Sequence, residues 1–265
     1  IRRAVIQKFN ESYNWDCDSF DDLHNHLADK RKTTDIINAN LIINSLKICD
    51  PAIGSGHFLV SCLNEIISVK SELGILADEN GRVLKGYEAH VENDELIISY
   101  DEGEEIFEYY TPLKSNTKSE TQLVQETLFR EKQTIIENCL FGVDINPNSV
   151  SIARLRLWIE LLKNAYYTVE SHYTELETLP NIDINIKEGN SLVSRFELSN
   201  DIFTGADRTA FEVYKLNVNQ YKNEHDRAKR KQLKVSIDKT KERIKGIAVN
   251  PVKELDIKIS DLTEK

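Results

Sequence analysis

The 265-residue chain is long enough for one sizeable core, or for one core with a peripheral subdomain. Its 40% hydrophobic and 29% charged residues are those of a globular protein. A net charge of −10 argues against a free-standing nucleic-acid binder, because such proteins gain affinity by neutralising phosphates with Lys and Arg. No apolar run approaches the ~18 residues of a membrane span and no signal-peptide pattern opens the chain, so a soluble, cytoplasmic protein is expected.

Residues 1–45 read as a mostly helical segment, with apolar positions at helical spacing in IRRAVIQKF and TTDIINANLIINSL. LKIC at 46–49 is a short β-prone run ending at Asp50. Helical periodicity resumes near Ser55, with Phe58, Leu59, Cys62, Leu63, Ile66 and Ile67 on one face, until Gly74 offers a C-cap. Residues 85–122 form an acidic β insertion and linker. Within them, residues 88–110 hold nine carboxylates and no Lys or Arg, and turn chemistry at Asn93-Asp94 and around Gly103 divides them into a hairpin or small meander. A helix is predicted over 123–137, then a second strand, CLFGVDI, at 139–145. Asn146-Pro147 starts a helix that runs to about Lys163 and is apolar almost all round, so it should be well buried.

A third strand at 184–188 runs into Gly189-Asn190-Ser191, and 197–265 is a charged helical extension. In its segment 227–245, nine Lys/Arg stand against two carboxylates, Asp238 and Glu242. Strand, helix, strand, helix, strand over 46–84 and 123–196 is the rhythm of an α/β protein with a parallel sheet. Cys17, Cys49, Cys62 and Cys139 form no CxxC and no histidine pair has ligand spacing, so reduced thiols and no metal are expected. The sequence contains no methionine and opens at Ile1 inside a helical pattern, which reads as a piece of a longer polypeptide.

In an open α/β sheet, ligands bind outside the carboxyl ends of the strands. After the first strand, Gly54 and Gly56 permit dihedrals and a backbone approach that a side chain would block. The helix that follows offers unpaired N–H groups. After the second strand, Asp144 can accept hydrogen bonds from both hydroxyls of a ribose, and Ile145 can pack on a purine. After the third, Asn190 can pair with an adenine edge. Singly, each is turn or cap chemistry; in order at successive strand ends they point to an adenosine-containing cofactor. The dinucleotide fingerprint wants a third glycine where this chain has Leu59, and its acid about 20 residues on, far short of Asp144. No P-loop lysine is present. The arrangement suits S-adenosylmethionine, which carries no phosphate.

DPAIGSGHFL at 50–59 resembles motif I of the amino-methyltransferases that act on DNA adenine. FGVDINPNSVSIARLRLWIELL at 141–162 resembles their acidic second motif, and INIKEGNSLVSRF at 184–196 their third. The blocks and their long spacing are most similar to the methyltransferase part of Eco57I-like, type IIG restriction-modification enzymes. The resemblance implies a Rossmann-like methyltransferase core, incomplete at its far edge, with the β insertion and helical extension added. It implies a site in which Asp50, Ala52, Gly54 and Gly56 line the methionine end of S-adenosylmethionine, with Pro51, Ser55, Phe58 and Leu59 as further cofactor-binding residues. Asp144 would then bind ribose, Ile145 would pack on adenine, and Asn190 would face its polar edge, with Ser191 a further cofactor-binding residue.

The family's catalytic Asn-Pro-Pro-aromatic motif, which holds a flipped adenine, has no counterpart here. Asn146-Pro147 is a helix start, and Asn250-Pro251 is followed by Val252-Lys253. The Thr-Pro segment before the first strand is also missing. No catalytic residue is therefore assigned, and this chain alone is expected not to methylate. Its expected partners are double-stranded DNA, met through the full-length parent and helped by segment 227–245, and the remainder of that polypeptide. A protein-glutamine or RNA methyltransferase, a dinucleotide oxidoreductase, and a structural segment with a vestigial pocket are the alternatives.

Overall fold

The computed structural model describes residues 1–30, 32–100, 105–109, 120–182, 185–192, 205–224 and 228–244. The chain divides into two units, 1–189 and 190–265. The first opens with α1 (Arg2–Tyr13), α2 (Phe20–Ala28) and α3 (Thr33–Asn44). Helix α2 begins at a capping box: Ser19 Oγ accepts the Asp22 N–H (3.1 Å) and the Asp22 carboxylate accepts the Ser19 N–H (3.0 Å). Such caps are each worth ~1 kcal/mol.

Strand β1 (Ile48–Asp50), helix α4 (His57–Glu72), helix α5 (Glu120–Asn138), strand β2 (Leu140–Asp144), helix α6 (Pro147–Leu162) and strand β3 (Ile186–Glu188) follow in the order the sequence predicts. The sheet is parallel in the order β1-β2-β3, with Ile48 opposite Leu140 and Gly142 opposite Ile186. Between α4 and α5 lies a separate antiparallel sheet of β4 (Tyr87–Glu92), β5 (Glu95–Tyr100) and β6 (Glu105–Ile106). Asn93 and Asp94, at φ 50° and 66°, make the two-residue turn between its first strands. The expected turn at Gly103 and the linker residues 111–119 lie outside the described residues. Helix α5 starts at Glu120, three residues before the expected position, and takes the end of that linker with it.

Helix α4 is the centre of the core. Leu59, Leu63, Ile66 and Ile67 on it are fully buried, each worth roughly 1.5–3 kcal/mol of transfer free energy. Its far end receives the antiparallel sheet, where the Ala89 N–H donates to Ser71 Oγ (2.8 Å) and Asn64 Nδ2 donates to the Asp94 carbonyl (3.2 Å). Lys70, fully buried, donates to Asn44 Oδ1 (2.8 Å) and pairs with Glu131, tying α3, α4 and α5 together.

Helix α6 departs from the sequence reading. Val150, Leu157 and Leu161 are buried as expected, but Leu155, Ile159 and Leu162 are exposed, and Trp158 is half-buried. Its buried face meets α4, α5 and the parallel sheet, while Ile152, Leu155, Ile159 and Leu162 on the other face stay about half exposed.

In the second unit, α7 (Gly205–Asn223) and a helix over residues 228–244 (α8) are joined by a hydrogen bond from Asn217 Nδ2 to Ser236 Oγ (3.0 Å). Lys229, Lys231, Lys234, Lys239, Lys241 and Arg243 on α8 are exposed, while Ile237 is buried. No helix among the described residues is long and apolar enough to cross a membrane.

Candidate functional site

The carboxyl end of β1 turns sharply. Asp50 Oδ1 accepts the Ala52 N–H (3.0 Å), and the chain then crosses to β2, where the Ile53 N–H donates to the Val143 carbonyl (3.0 Å). Gly54 takes φ +53° and Gly56 φ +80°, in the left-handed region that favours glycine. Gly56 has a second reason to be glycine: an added Cβ would stand 2.9 Å from Ala153 Cβ and 3.0 Å from its Cα, so the start of α4 lies directly on α6. Gly56 is the N-cap of α4 and supplies no side-chain acceptor, which leaves the first-turn N–H groups without a side-chain partner. Pro51, Ala52, Ser55 and Phe58 are exposed around this turn, whereas Leu59 points inward and is fully buried.

Asp144 is the hub. Its Oδ1 accepts the Asn146 N–H and its Oδ2 accepts the Gly54 N–H, both at 2.8 Å, and its backbone carbonyl accepts the Gly189 N–H at 2.9 Å. One residue thus bonds to the turn after each of the three parallel strands. The donated N–H groups of Asn146 and Gly54 hold the Asp144 carboxyl below the usual carboxylate range, so it is an anion at neutral pH. Each carboxylate oxygen has about two acceptor sites and spends one on backbone, leaving capacity for two further donors such as vicinal hydroxyls. Ile145, next to it, is 71% exposed, so its side chain is free to pack on a ligand held at Asp144.

Asn146 caps α6 with its side chain, accepting the Asn148 N–H at 2.9 Å, as its sequence position implied. Asn190 and Ser191 open the second unit and are exposed; Asn190 Oδ1 accepts the Leu192 N–H (3.0 Å) in a local turn. The structure therefore joins Asp50–Gly56 and Asp144 through direct hydrogen bonds.

Residues 25–250 match the family described as the MmeI DNA-methyltransferase domain. The chain belongs to this family. A putative type II restriction enzyme and methyltransferase from Methanocaldococcus jannaschii is 29% identical over 200 residues, which are 73% of this chain and 13% of that protein. The chain thus spans about an eighth of the curated relative it matches. No solved structure matches it.

Three residues that shape this MmeI-family site escaped the sequence reading. Gly142, inside β2, sits so close to Ile53 that a Cβ would fall 2.3 Å from Ile53 Cδ1; a glycine within a strand was the available sign of that approach. Ala153 receives Gly56, and nothing in an apolar helix singles it out. Asn185, buried just before β3, donates through Nδ2 to the carbonyls of Ile136 (2.8 Å), Glu137 (2.9 Å) and Leu140 (3.1 Å). It ties the end of α5 to the start of β2, a role visible only once those carbonyls are placed.

Proposed function

We propose that this chain is the S-adenosylmethionine-binding part of a DNA adenine-N6 methyltransferase of restriction-modification or phage-defence type. The observation that carries the reading is the hub at Asp144, whose carboxylate is ionised, anchored by two backbone N–H groups and flanked by the exposed Ile145. These residues fit the cofactor. Asp50, Ala52, Gly54 and Gly56 form the turn assigned to its methionine end, with Pro51, Ser55 and Phe58 exposed beside it, whereas Leu59 is fully buried on α4 and offers the cofactor no surface. Asp144 takes the ribose hydroxyls and Ile145 the adenine face; for Asn190 and Ser191 the assignment to the cofactor rests on the sequence resemblance alone. The cofactor would supply the transferable methyl group.

On this reading the core is Rossmann-like and incomplete. Strand β1 carries the central turn yet, among the described residues, has a neighbour on one side only, in the order β1-β2-β3. A switch-point site requires a strand on the other side as well. The antiparallel sheet is an insertion, and α7–α8 an extension. The exposed lysines of α8 would follow phosphates when the larger parent enzyme meets double-stranded DNA. The catalytic Asn-Pro-Pro-aromatic motif is absent from the 265 residues, and orienting the target amino group is worth several kcal/mol; this chain alone does not methylate.

Calorimetric titration tests the cofactor reading. S-adenosylhomocysteine should bind saturably, NAD should not, and Asp144→Ala should lower affinity by at least tenfold. Equal affinity for NAD, or undiminished binding in Asp144→Ala, would overturn the assignment. Methyl transfer to adenine-containing DNA by this chain would overturn its inactivity. A protein-glutamine or RNA substrate remains the competing reading, separated from the first by which polymer the parent enzyme labels.

A further inference from the structure

Helix α6 has two apolar faces. Val150, Ala153, Leu157 and Leu161 are buried on the inner one, together with Glu160. On the outer one stand Ile152 (51% exposed), Leu155 (55%), Ile159 (45%) and Leu162 (49%). At ~100° per residue these four fall within an arc of about 80°, centred opposite the buried face. Scattered exposed aliphatic residues are ordinary, but a continuous row marks an interaction surface. The row also has an internal order. Its spacing of three, four and three residues is that of a helix–helix seam, and it alternates Ile at one heptad position with Leu at the other. That alternation suits a two-stranded pairing, one helix against one helix.

The rim specifies charge. Arg156 and Lys163 lie along one side of the row. Lys163 already pairs with the exposed Glu95 (3.8 Å) and with Glu160 (2.9 Å), the helix's one carboxylate, which is buried on the inner face and also pairs with Lys132. Arg156 makes no ion pair among the described residues. In a chain of net charge −10, this surface is bordered by cations with no exposed carboxylate on α6. A second copy of the chain would bring the same cations along this side of α6: an antiparallel pairing sets them face to face, and a parallel one sets Arg156 against Ser151 and Lys163 against Trp158. An acidic partner helix satisfies Arg156, the rim cation with no ion pair among the described residues.

We propose that the outer face of α6 is a docking seam for one amphipathic helix that carries Ile or Leu along its apolar edge and Glu or Asp beside it. The curated relative extends far beyond the part that this chain matches, 13% of its length, so a protein of that kind has ample polypeptide to supply such a helix. The inference does not rest on cofactor binding and would stand if that failed.

The test uses the 265-residue chain and two labelled synthetic peptides of three heptads, both with Ile and Leu at the seam positions. One carries Glu at the flanking positions and the other Lys; like charges keep each from pairing with itself. Fluorescence anisotropy should show saturable binding of the Glu peptide and at least tenfold weaker binding of the Lys peptide. Leu155→Gln/Ile159→Gln should reduce Glu-peptide binding at least tenfold without moving the melting temperature by more than a degree or two, since both positions are exposed. Arg156→Glu should narrow or invert the preference between the peptides. Equal binding of the two peptides, no binding of either, or indifference to the Gln pair would overturn the proposal. So would sedimentation of the unmodified chain as a dimer that the Gln pair dissociates, which would make a second copy the occupant.

Discussion

Gly142→Ala would test whether β2 positions the first turn through steric contact alone. The added Cβ would lie 2.3 Å from Ile53 Cδ1, 3.1 Å from Cγ1 and 3.2 Å from Cβ. Rotating the Ile53 side chain relieves the first contact but not the last, because Cβ is fixed to the backbone. Ile53 is 4% exposed and its N–H is bonded to Val143, so the turn between Ala52 and Gly54 has to shift. Overpacking of this kind costs about 1–3 kcal/mol. At roughly 2–4 °C per kcal/mol, a loss of ~2 kcal/mol lowers the melting temperature by about 4–8 °C. Ile53→Val removes Cδ1 and by itself costs about 0.5–1.5 kcal/mol. In Gly142→Ala/Ile53→Val it should give back at least ~1 kcal/mol of the loss, a coupling that a double-mutant cycle resolves. Urea unfolding followed by the fluorescence of Trp15 and Trp158, both packed against the core of the first unit, measures all four states. A Gly142→Ala midpoint within ~0.5 kcal/mol of the parent, or additive behaviour in the cycle, would refute the steric argument.

Asn185→Ala should lose about 1–3 kcal/mol, since three buried carbonyls give up their donor; Asn185→Asp should lose more, by placing a carboxylate among them, and the order of the two melting temperatures checks this. Burial drives the Lys132 ammonium down to about 8, against the pull of Glu160, while the unfolded chain holds that proton to about 10.4. Between those values the unfolded state binds more protons, so stability rises with pH across that window and the cost of charging Lys132 is fully present below it. From pH 7.5 to 9.5 the chain should gain about 1–2 kcal/mol relative to Lys132→Met, and parallel pH profiles in urea unfolding would contradict the assignment. The Asp144 carboxyl has the opposite sense: its value is depressed in the fold, so its contribution is present above the ordinary carboxylate range and is lost as pH falls through its lowered value. S-adenosylhomocysteine affinity, followed from pH 7 to pH 4.5, should therefore show no inflection that Asp144→Asn removes.

The sequence was most informative where local chemistry decides conformation. The glycines after β1, the Asn146 cap with Pro147 behind it, and the Asn93-Asp94 turn of the acidic hairpin each act within a few residues, and each is found where its pattern implied. The motif order also carried the family, because the three strand-end blocks are short, contiguous runs of residues. Tertiary structure decided the rest. That Asp144 gathers three turns depends on strands being neighbours, and a residue's hydrogen-bond partners 90 positions away leave no mark on its own surroundings in the chain. The outer face of α6 shows the same limit from the other side. Apolar residues all round a helix say that it would gain from being covered on every face, since transfer from water is favourable wherever it happens. They do not say that a covering element is present, and Ile152, Leu155, Ile159 and Leu162 remain about half exposed. Hydrophobicity is a property of the residue, whereas burial belongs to the arrangement around it.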